Sequence, residues 1–404
     1  MTAEPLTTAC CVVGGGPAGM MLGLLLARAG IDVTVLEKHA DFLRDFRGDT
    51  VHPSTLQLMH EMGLLDEFLA RPHQEVRNIS VQIGNETVPV GDFSHLPTRC
   101  KFVALMPQWD FLDFLAGHAT RLPNFRLLMR TEGTGLLHDA DGIAGITASG
   151  PDGPCEIRAA LVVATDGRHS TMRDAAGLRV IDRGAPMDVL WLRLSRRDSD
   201  PAQTLGRVDG GHILVTLDRG DYWQCAYLIA KGGFDSFRNR GIAAFRTEFV
   251  RVAPHFQDRI HEIASWDDVK LLTVAVNRLE QWYRRGLLLI GDAAHAMSPI
   301  GGIGINLAVQ DAVAAANILA PRLRQGNVTL ADLRAVQRRR ELPTRLTQAM
   351  QVLIQKRVIS NVLQSTATPR PPWLVRMVGR YPLLQRLPAR VVGIGFRPEH
   401  VRTV

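Results

Sequence analysis

The chain has 404 residues, 46% of them hydrophobic, which is enough for two or three domains with buried cores. Its 47 basic and 40 acidic residues give a net charge of +7, but only five of the basic residues are lysines. The arginines are spread along the chain and are not interleaved with aromatic residues as in a nucleic-acid groove, so no nucleic-acid partner is expected.

Cysteine and histidine usage excludes further classes of protein. The five cysteines are odd in number, include one adjacent pair and form no CxxC, which argues against a disulfide framework and predicts a cytoplasmic protein. The 13 histidines form no HExxH motif or ligand cluster, so we expect no metal site. Residues 9–27 lack a preceding positive charge and contain glycines and a proline, so neither a signal peptide nor a membrane span is predicted.

The first motif is GGGPAG at residues 14–19, between a short apolar strand and a predicted helix. Gly14 permits the tight turn, Gly16 lets a pyrophosphate approach the helix N-terminus, and Gly19 lets the helix pack on the strand. Strand, turn and helix together indicate a dinucleotide-binding βαβ unit. A glycine-rich turn without a nucleotide is the alternative.

The second strand of this unit ends at Glu37, whose carboxylate can accept hydrogen bonds from both ribose hydroxyls. An acid there, followed by Lys38, suits an adenosine with a free 2′-hydroxyl, and therefore NAD or FAD rather than NADP. Pro17 and Ala18, at the start of the helix, belong to the same predicted cofactor site. This motif alone does not distinguish NAD from FAD.

Residues 40–160 carry fewer chemical signals. Arg47 lies in a predicted loop beside Gly48, from which a guanidinium can reach phosphates, and a solvated loop arginine is the alternative. A helix is predicted from Gln108 through about Thr120. Strands are predicted at residues 76–83, 102–106, 125–129, 135–137 and 143–149.

A second motif follows a buried strand predicted at residues 160–164. Asp166 and Gly167, with Ser170 and Arg173, form a DGxxSxxR pattern that opens a helix. An apolar strand followed by this pattern indicates a second phosphate-facing element, and a well-capped turn is the alternative.

The pattern changes between residues 180 and 285. Strands are predicted at residues 189–195, 212–217, 223–229 and 270–276, with helices at about 237–251 and 255–263. This pattern predicts an antiparallel sheet with helices, inserted between nucleotide-facing strands. A mostly apolar sheet with some aromatic and cationic side chains suits an aromatic substrate, although ordinary core aromatics are the alternative for any single residue.

The third motif occupies residues 286–312. After a buried strand, Gly291 permits close backbone approach, and the Asp292 carboxylate can bind hydroxyl groups. The loop 299–304 then contains three glycines and leads into an apolar helix predicted to start near Asn306. Free N–H groups at that helix start can bind an anionic or electron-withdrawing ring edge, and ordinary strand-to-helix bending is the alternative.

Residues 326–404 form an arginine-rich C-terminal segment. A long, partly amphipathic helix is predicted, broken at Pro343 and followed by two further proline-rich breaks. Three interpretations stay open for this segment: peripheral contact with a membrane, a helix packed over the substrate sheet, or a subunit contact.

The three motifs, in this order and with their flanking strands, resemble those of the para-hydroxybenzoate-hydroxylase-like FAD-dependent aromatic hydroxylases. The resemblance spans roughly residues 8–320. It implies that the first motif holds the FAD pyrophosphate and that Asp166 and Gly167 contact both FAD and the nicotinamide. It further implies that Asp292 binds the ribitol chain and that the backbone around Asn306 meets the pyrimidine edge of the flavin.

Other roles also rest on the resemblance. Arg47 and Gln108 fall where family members place side chains against FAD, and Pro299 falls where a proline lines the reaction cavity, so Arg47 and Pro299 are the catalytic candidates. Helix-start N–H groups at Ile305 and Asn306 would stabilise negative charge on the reduced flavin. The predicted cofactor-binding set comprises Gly14, Gly16, Pro17, Ala18, Gly19, Glu37, Lys38, Arg47, Gln108, Asp166, Gly167, Gly291, Asp292, Pro299, Gly302, Gly304, Ile305 and Asn306.

The implied fold is α/β, with a Rossmann-like FAD-binding domain, an inserted mixed β-sheet substrate domain and a C-terminal helical tail. The FAD-binding domain is predicted to comprise residues 1–75, 100–180 and 281–325. The substrate domain would comprise residues 76–99 and 181–280, and the tail residues 326–404.

The implied activity is that of an NAD(P)H-dependent flavoprotein monooxygenase with FAD bound tightly but non-covalently. A second GxGxxG is missing, so NAD(P)H would bind transiently. With O2, reduced FAD would form a C4a-hydroperoxide that hydroxylates an aromatic, quinone or polyketide-like substrate. The alternatives are a prenyl or double-bond reductase of the same superfamily, a halogenase (although its WxWxIP run is missing), and a non-catalytic FAD-fold binding protein.

Overall fold

The computed structural model describes residues 6–43, 50–200, 205–363 and 369–402. The predicted site residue Arg47 lies outside these residues.

The strands are β1 (Leu6–Val13), β2 (Val33–Glu37), β3 (Thr50–Val51), β4 (Gln74–Val76), β5 (Asn78–Ile83), β6 (Glu86–Asp92), β7 (Val103–Leu105), β8 (Phe125–Met129), β9 (Glu132–Asp139), β10 (Gly142–Gly150), β11 (Gly153–Ala164), β12 (Val180–Asp182), β13 (Met187–Ser195), β14 (Leu205–Asp209), β15 (His212–Asp218), β16 (Tyr222–Ala230), β17 (Lys270–Leu272), β18 (Asn277–Leu279), β19 (Tyr283–Arg284) and β20 (Leu287–Leu289).

The α-helices are α1 (Pro17–Arg28), α2 (Pro53–Glu61), α3 (Leu65–Leu69), α4 (Gln108–Ala119), α5 (Thr171–Ala175), α6 (Phe234–Arg240), α7 (Ile242–Val252), α8 (Ile303–Arg324), α9 (Leu330–Ile354), α10 (Ser360–Leu363), α11 (Trp373–Arg380) and α12 (Pro382–Gly393).

An eight-stranded sheet forms the nucleotide-binding half of the molecule. Its path runs β19-β20-β11-β1-β2-β8, and the last five of these strands are parallel. The strands β10 and β9 extend from β11 as an antiparallel meander. Every residue of β2 and of β20 is buried, as expected for parallel strands that are covered on both faces. Helices α1, α4 and α8 contribute to the core on one face, so the α/β prediction is confirmed.

The three sequence motifs follow strands β1, β11 and β20, which are neighbours in this sheet. Because the carboxyl ends of parallel strands meet at one edge, the motifs converge there although they are far apart in the chain.

A seven-stranded sheet has the order β17-β13-β16-β15-β14-β5-β6. Its pairs are antiparallel except β14 and β5, which run parallel, so the sheet is mixed. Helices α6 and α7 cover one face through a core that includes Phe245 and Phe249. The opposite face, which we call the inner face, packs against Ile300 and residues 359–363.

Several local predictions needed correction. The predicted strand 76–83 divides at Arg77, and its parts β4 and β5 belong to different sheets. The predicted helix 237–251 divides at Gly241, whose φ of +85° ends α6 before α7 begins. The predicted strand 270–276 is regular only over β17, and strands β6 and β14 were not predicted.

The predicted helix break at Pro343 was wrong, because α9 continues through that residue. Proline removes one backbone hydrogen bond, but the buried glutamines of α9 bind the backbone of neighbouring segments of the same chain. Gln348 Nε2 donates to Asn277 O at 2.7 Å, and Gln351 Nε2 donates to Ser298 O at 3.0 Å. Tertiary contacts therefore override the local signal.

Among the described residues, one helical stretch is long and apolar enough to cross a membrane. It runs from Ile300 to Arg324 and consists of α8 and the short turn before it. However, 78% of its most apolar window is buried inside the protein, and it packs against α1 in the core of the nucleotide-binding half. The strands of the eight-stranded sheet come from residues 6–37, 125–164 and 283–289, and those of the seven-stranded sheet from residues 78–92 and 187–272. The predicted domain limits stay predictions.

Candidate active site

The first motif forms an open cradle at the N-terminus of α1. Gly14 has a φ of +110°, and a Cβ there would lie 2.6 Å from Thr165 O. A Cβ on Gly19 would lie 1.9 Å from Gly14 O, whereas a Cβ on Gly16 would meet no atom within 4 Å. Gly14 and Gly19 are thus required by packing, while Gly16 leaves the helix start open. Unpaired helix N–H groups beside open space suit an anion such as a pyrophosphate.

Glu37 holds a fixed position beside this cradle. Its side chain is buried, with Oε2 accepting the Gly15 N–H at 3.1 Å and Oε1 accepting the His39 N–H at 3.0 Å. Lys38 instead lies in an exposed pair with Glu132, at 3.7 Å. The carboxylate therefore lies at the end of β2, where a ribose bound next to the cradle would meet it.

The second motif contacts the first through Thr165. The Thr165 hydroxyl donates to Gly14 O at 2.7 Å, and its backbone N–H donates to Val13 O at 2.8 Å. Asp166 Oδ2 accepts the Met172 N–H at 3.1 Å, and burial raises the pKa of this carboxyl despite its hydrogen bonds. Gly167 has a φ of +86°, which favours glycine in this turn. Thr165 was not predicted, because its partner lies more than 150 residues away in the chain.

The third motif places Asp292 opposite the second. Gly291, with a φ of +61°, is wedged between helices, since its Cβ would lie 3.2 Å from Ala18 and 3.3 Å from Ala308. Asp292 Oδ2 accepts the Arg168 Nε–H at 3.0 Å, and about a third of each side chain is exposed. The Asp-Gly and Gly-Asp motifs therefore meet in one partly exposed ion pair, which screening by water keeps weak. Arg168 was not among the predicted site residues.

The loop before α8, residues 299–304, turns through two left-handed glycines, Gly301 (φ +76°) and Gly302 (φ +62°). The prediction of a helix start near Asn306 was three residues late, since α8 begins at Ile303. The N–H groups outside its hydrogen-bonding ladder are accordingly those of residues 303–305, so Ile305 is among them and Asn306 is not. A Cβ on Gly304 would meet no atom within 4 Å, so this helix start is open as well.

The Asn306 side chain is buried and engaged within the protein. Its Oδ1 accepts the His52 N–H and the Thr55 hydroxyl, both at 2.8 Å. Its Nδ2 donates to Thr50 O at 3.1 Å and to Gly302 O at 3.2 Å. Asn306 therefore joins strand β3 and helix α2 to the start of α8, a structural role that its position in the motif did not reveal.

Two further predicted site residues, Pro299 and Gln108, belong to a loop and a helix start, respectively. Pro299 is half-buried, and its carbonyl accepts the Gly302 N–H at 3.0 Å. Gln108 is half-buried at the first position of α4. Their predicted roles, like those of the other motif residues, stay predictions.

A buried network of charged side chains contacts the turn of the third motif and stabilises it. This network was not predicted from the sequence. Asp311 Oδ2 lies 2.5 Å from His295 Nε2 and accepts the Gly291 N–H at 3.2 Å. Asp311 Oδ1 accepts the Arg340 Nε–H at 2.9 Å, and Arg340 Nη1 reaches Glu399 Oε1 at 3.2 Å. Burial by itself raises the pKa of Asp311, but His295 and Arg340 outweigh it and hold that pKa below its ordinary value. The C-terminal residues thus brace the turn that carries Asp292.

The inner face of the seven-stranded sheet supplies an apolar wall next to the loop 299–304. Val189, Ala226 and Leu228 are buried on this face, and Trp191 is partly buried beside them. Ile300 packs against the same cluster. The open start of α8 and an apolar wall therefore meet at this loop. Within the described residues, no group of three or more His, Cys, Asp or Glu side chains is placed to hold a metal ion.

A family model described as an FAD binding domain matches residues 7–350. The chain therefore belongs to this family and, with the relatives below, to the FAD-dependent aromatic monooxygenases.

The relatives include 6-methylpretetramide 4-monooxygenase of Streptomyces rimosus, which is 32% identical over 96% of this chain and 93% of its own. The solved structure of OxyS anhydrotetracycline hydroxylase from Streptomyces rimosus has a TM-score of 0.71 at 25% identity, covering 96% of this chain and 76% of its own. That of p-nitrophenol 4-monooxygenase PnpA from Pseudomonas putida DLL-E4 has a TM-score of 0.76 at 22% identity, covering 94% of both chains, and so shows the shared fold.

These comparisons confirm the predicted family and class of enzyme. The chain is a flavoprotein oxidoreductase of the monooxygenase type, with FAD as its cofactor and NAD(P)H as the typical reductant of the family. The open helix starts, the braced carboxylates and the apolar wall fit a flavin dinucleotide, which needs donors for phosphate, acceptors for ribose and ribitol, and a dry ring site.

Proposed function

We propose that this enzyme uses NAD(P)H and O2 to hydroxylate an aromatic ring of a polycyclic, polyketide-like compound. Two observations carry the proposal. The three motifs meet at one edge of the sheet, and Ile300, in the loop of the third motif, packs against the apolar inner face. The nearly full-length similarity to a monooxygenase named for 6-methylpretetramide supports the polycyclic substrate class.

Each part of the cofactor would be held by a different element. The N-terminus of α1 would bind the pyrophosphate, and Glu37 the adenosine ribose. Asp292 would bind the ribitol hydroxyls, and the start of α8 the pyrimidine edge. When bound, FAD supplies electron transfer from NAD(P)H and the activation of O2, with one oxygen atom going to the substrate and the other to water.

The protein's own contribution is electrostatic and steric. The N–H groups of residues 303–305, at the positive end of α8, stabilise negative charge on a ring placed against them. The positive-φ turn at Gly301 and Gly302 lets the backbone approach that ring closely. The apolar inner face excludes water from the site, which limits wasteful side reactions.

Trp191 is the inner-face residue best suited to contact an aromatic substrate. It is only partly buried, on the strand next to Ala226, and it belongs to the cluster that Ile300 joins. An indole at that place can stack on a flat ring system, an arrangement that adds to simple burial of apolar area. Trp191→Ala should therefore raise KM for the substrate more than it lowers kcat.

The test is a screen of the purified flavoprotein against phenols, quinones and polycyclic polyketides, with NADH and NADPH as reductants. We expect one substrate class to accelerate NAD(P)H oxidation, with O2 uptake and a product that has gained one oxygen atom. Reduction of a double bond under anaerobic conditions would instead identify the reductase alternative. A protein without bound flavin would contradict both enzyme assignments.

A cytoplasmic location is part of this proposal. Contact of the C-terminal segment with a membrane surface is a separate proposal.

A further inference from the structure

The positive charge of the chain is concentrated near its C-terminus. Between Glu341 and Glu399 lie 57 residues with no Asp or Glu and nine Lys or Arg, whereas the whole chain has a net charge of only +7. The rest of the chain therefore carries a net charge of −2. Helices α11 and α12 lie in the second half of this acid-free stretch, and we call them the C-terminal hairpin.

The C-terminal hairpin exposes an unusual number of large apolar side chains. On α11, Trp373 is 65% and Leu374 52% exposed, and Met377 lies on the same side one turn later. On α12, Leu383 and Leu387 are each 68% exposed at a spacing of one turn. Both helices thus present an apolar stripe to solvent, where a helix of a water-surrounded protein is normally polar.

The opposite side of the hairpin is packed tightly, so these side chains are not exposed by loose docking. A Cβ on Gly379 would lie 2.4 Å from Val88 Cγ1, and a Cβ on Gly393 would lie 2.7 Å from Leu96 Cδ1. Ala389 of α12 is fully buried, with its Cβ 3.9 Å from a Cβ built on Gly91 of β6. The hairpin is therefore apolar on both sides. One side packs against strand β6 and the residues that follow it, and the other side is exposed to solvent.

Arginines border the exposed stripe. Arg370, Arg376, Arg380 and Arg390 are all exposed, and among the described residues none of the four pairs with a carboxylate. Exposed aromatic and leucine side chains beside arginines without acidic partners are typical of a helix that lies in the interface of an anionic bilayer.

We propose that the C-terminal hairpin docks this protein onto an anionic lipid surface, with its leucines and Trp373 in the acyl boundary and its arginines at the headgroups. A second copy of the chain fits this face less well. A twofold interface would set the same cationic patch against itself, and juxtaposed like charges oppose association.

The docking face also lies next to the proposed reaction site. His52 Nδ1 lies 2.7 Å from Val392 O of α12, and Val392 Cγ2 is within 3.9 Å of a Cβ built on Gly301. Helix α12 therefore ends against the loop that precedes α8. On the proposed function, an apolar ring system in the bilayer would have a short path to the site.

The test is flotation of the purified flavoprotein with vesicles of phosphatidylcholine, with and without phosphatidylglycerol. We expect binding only to the vesicles that contain phosphatidylglycerol, and weaker binding at higher salt. This readout needs neither substrate nor turnover, so its failure and a failure of the proposed reaction are distinguishable. The proposal is overturned if the wild-type protein does not float with anionic vesicles.

Three paired variants sharpen the result. Leu383→Ser with Leu387→Ser should weaken vesicle binding about a hundredfold, and Arg376→Gln with Arg380→Gln about thirtyfold. The control is Leu43→Ser with Leu330→Ser, two leucines that are 60% and 47% exposed outside the acid-free stretch, and it should bind as the wild type does. All these side chains are exposed, so the melting temperature and flavin spectrum should be unchanged.

Two results would show that the exposed face of the C-terminal hairpin does not bind lipid, and either one would overturn the proposal. In the first, the paired leucine variant floats as well as the wild type. In the second, size-exclusion chromatography shows a wild-type dimer that this variant converts to a monomer, with no vesicle binding by either protein.

Discussion

Two carboxylates contact the same turn of the chain in opposite ways. Asp292 lies on the turn itself, about a third exposed, and pairs with Arg168 at the edge where the motifs converge. Asp311 reaches the turn from α8, is fully buried, and binds Gly291, His295 and Arg340 at once. One carboxylate is placed to meet a ligand, while the other holds the turn in position.

This difference explains why the sequence pattern identifies Asp292, whereas only the structure identifies Asp311, which holds the turn in place. Asp292 follows a buried strand and a glycine, so the local pattern alone marks it. Asp311 lies inside an apolar helix, and its partners come from α9 and from residues 291–295, the turn that carries Asp292. We therefore expect loss of Asp311 to impair folding and loss of Asp292 to impair cofactor binding.

The largest effect is expected for Asp311→Ala. This change leaves Arg340 buried without its main acceptor, and breaking a buried pair on one side typically costs about 3–5 kcal/mol. Denaturant unfolding of the flavin-free protein should show a loss of this size. Asp152→Ala, an exposed carboxylate in the turn between β10 and β11, serves as the control and should change stability by less than about 0.5 kcal/mol. Equal stability of the two variants would contradict a bracing role for Asp311.

A smaller loss is expected for Asn306→Ala, because the chain then leaves several buried polar groups without a partner. Two acceptors and two donors meet that side chain, and an unsatisfied buried group costs about 1–3 kcal/mol. We expect the free energy of unfolding to fall by about 2–3 kcal/mol. Hydrogen exchange should locate the loosening at β3 and at the start of α8, and unchanged protection there would oppose this interpretation.

The stabilisation by Asp311 should depend on pH in a defined direction. Its pKa in the folded protein lies below the ordinary value of 3.8. The contribution is therefore complete above about pH 4 and is lost as the pH falls through the folded pKa. Unfolding free energies of wild-type protein and Asp311→Asn should differ by a constant amount near neutral pH and approach each other below about pH 4. A gap that widens on acidification would contradict the assignment.

The smallest effect is expected at the exposed pair of Lys38 and Glu132, where both side chains are more than half exposed. A double-mutant cycle with alanine at each position should give a coupling energy below about 0.5 kcal/mol. A coupling well above this value would mean that Lys38 is held by the protein more firmly than the structure indicates.

The sequence predicted much of the nucleotide-binding half because its signals are local. GGGPAG, Asp166-Gly167 and Gly291-Asp292 each follow an apolar strand, and the order of these three motifs identified the family. The class of fold and the cofactor followed from that order.

The remaining features depend on contacts between distant parts of the chain. Thr165, Arg168 and Asp311 acquire their roles only when β1, β11 and β20 lie side by side. Helix α9 continues through Pro343 because its glutamines bind the backbone around Asn277 and Ser298. No local pattern encodes such partners, so propensity alone predicted a break.

The most direct test of this account is a titration of the flavin-free protein with FAD, comparing the wild type with Asp292→Ala and the control Asp152→Ala. Asp152 lies in the turn just before β11, whereas Asp292 follows the carboxyl end of the neighbouring strand β20. We predict that Asp292→Ala weakens FAD binding about tenfold to a hundredfold, with the stability of the flavin-free protein unchanged and the control binding normally. Tight, stoichiometric FAD binding by Asp292→Ala would contradict the assignment of this turn to the cofactor.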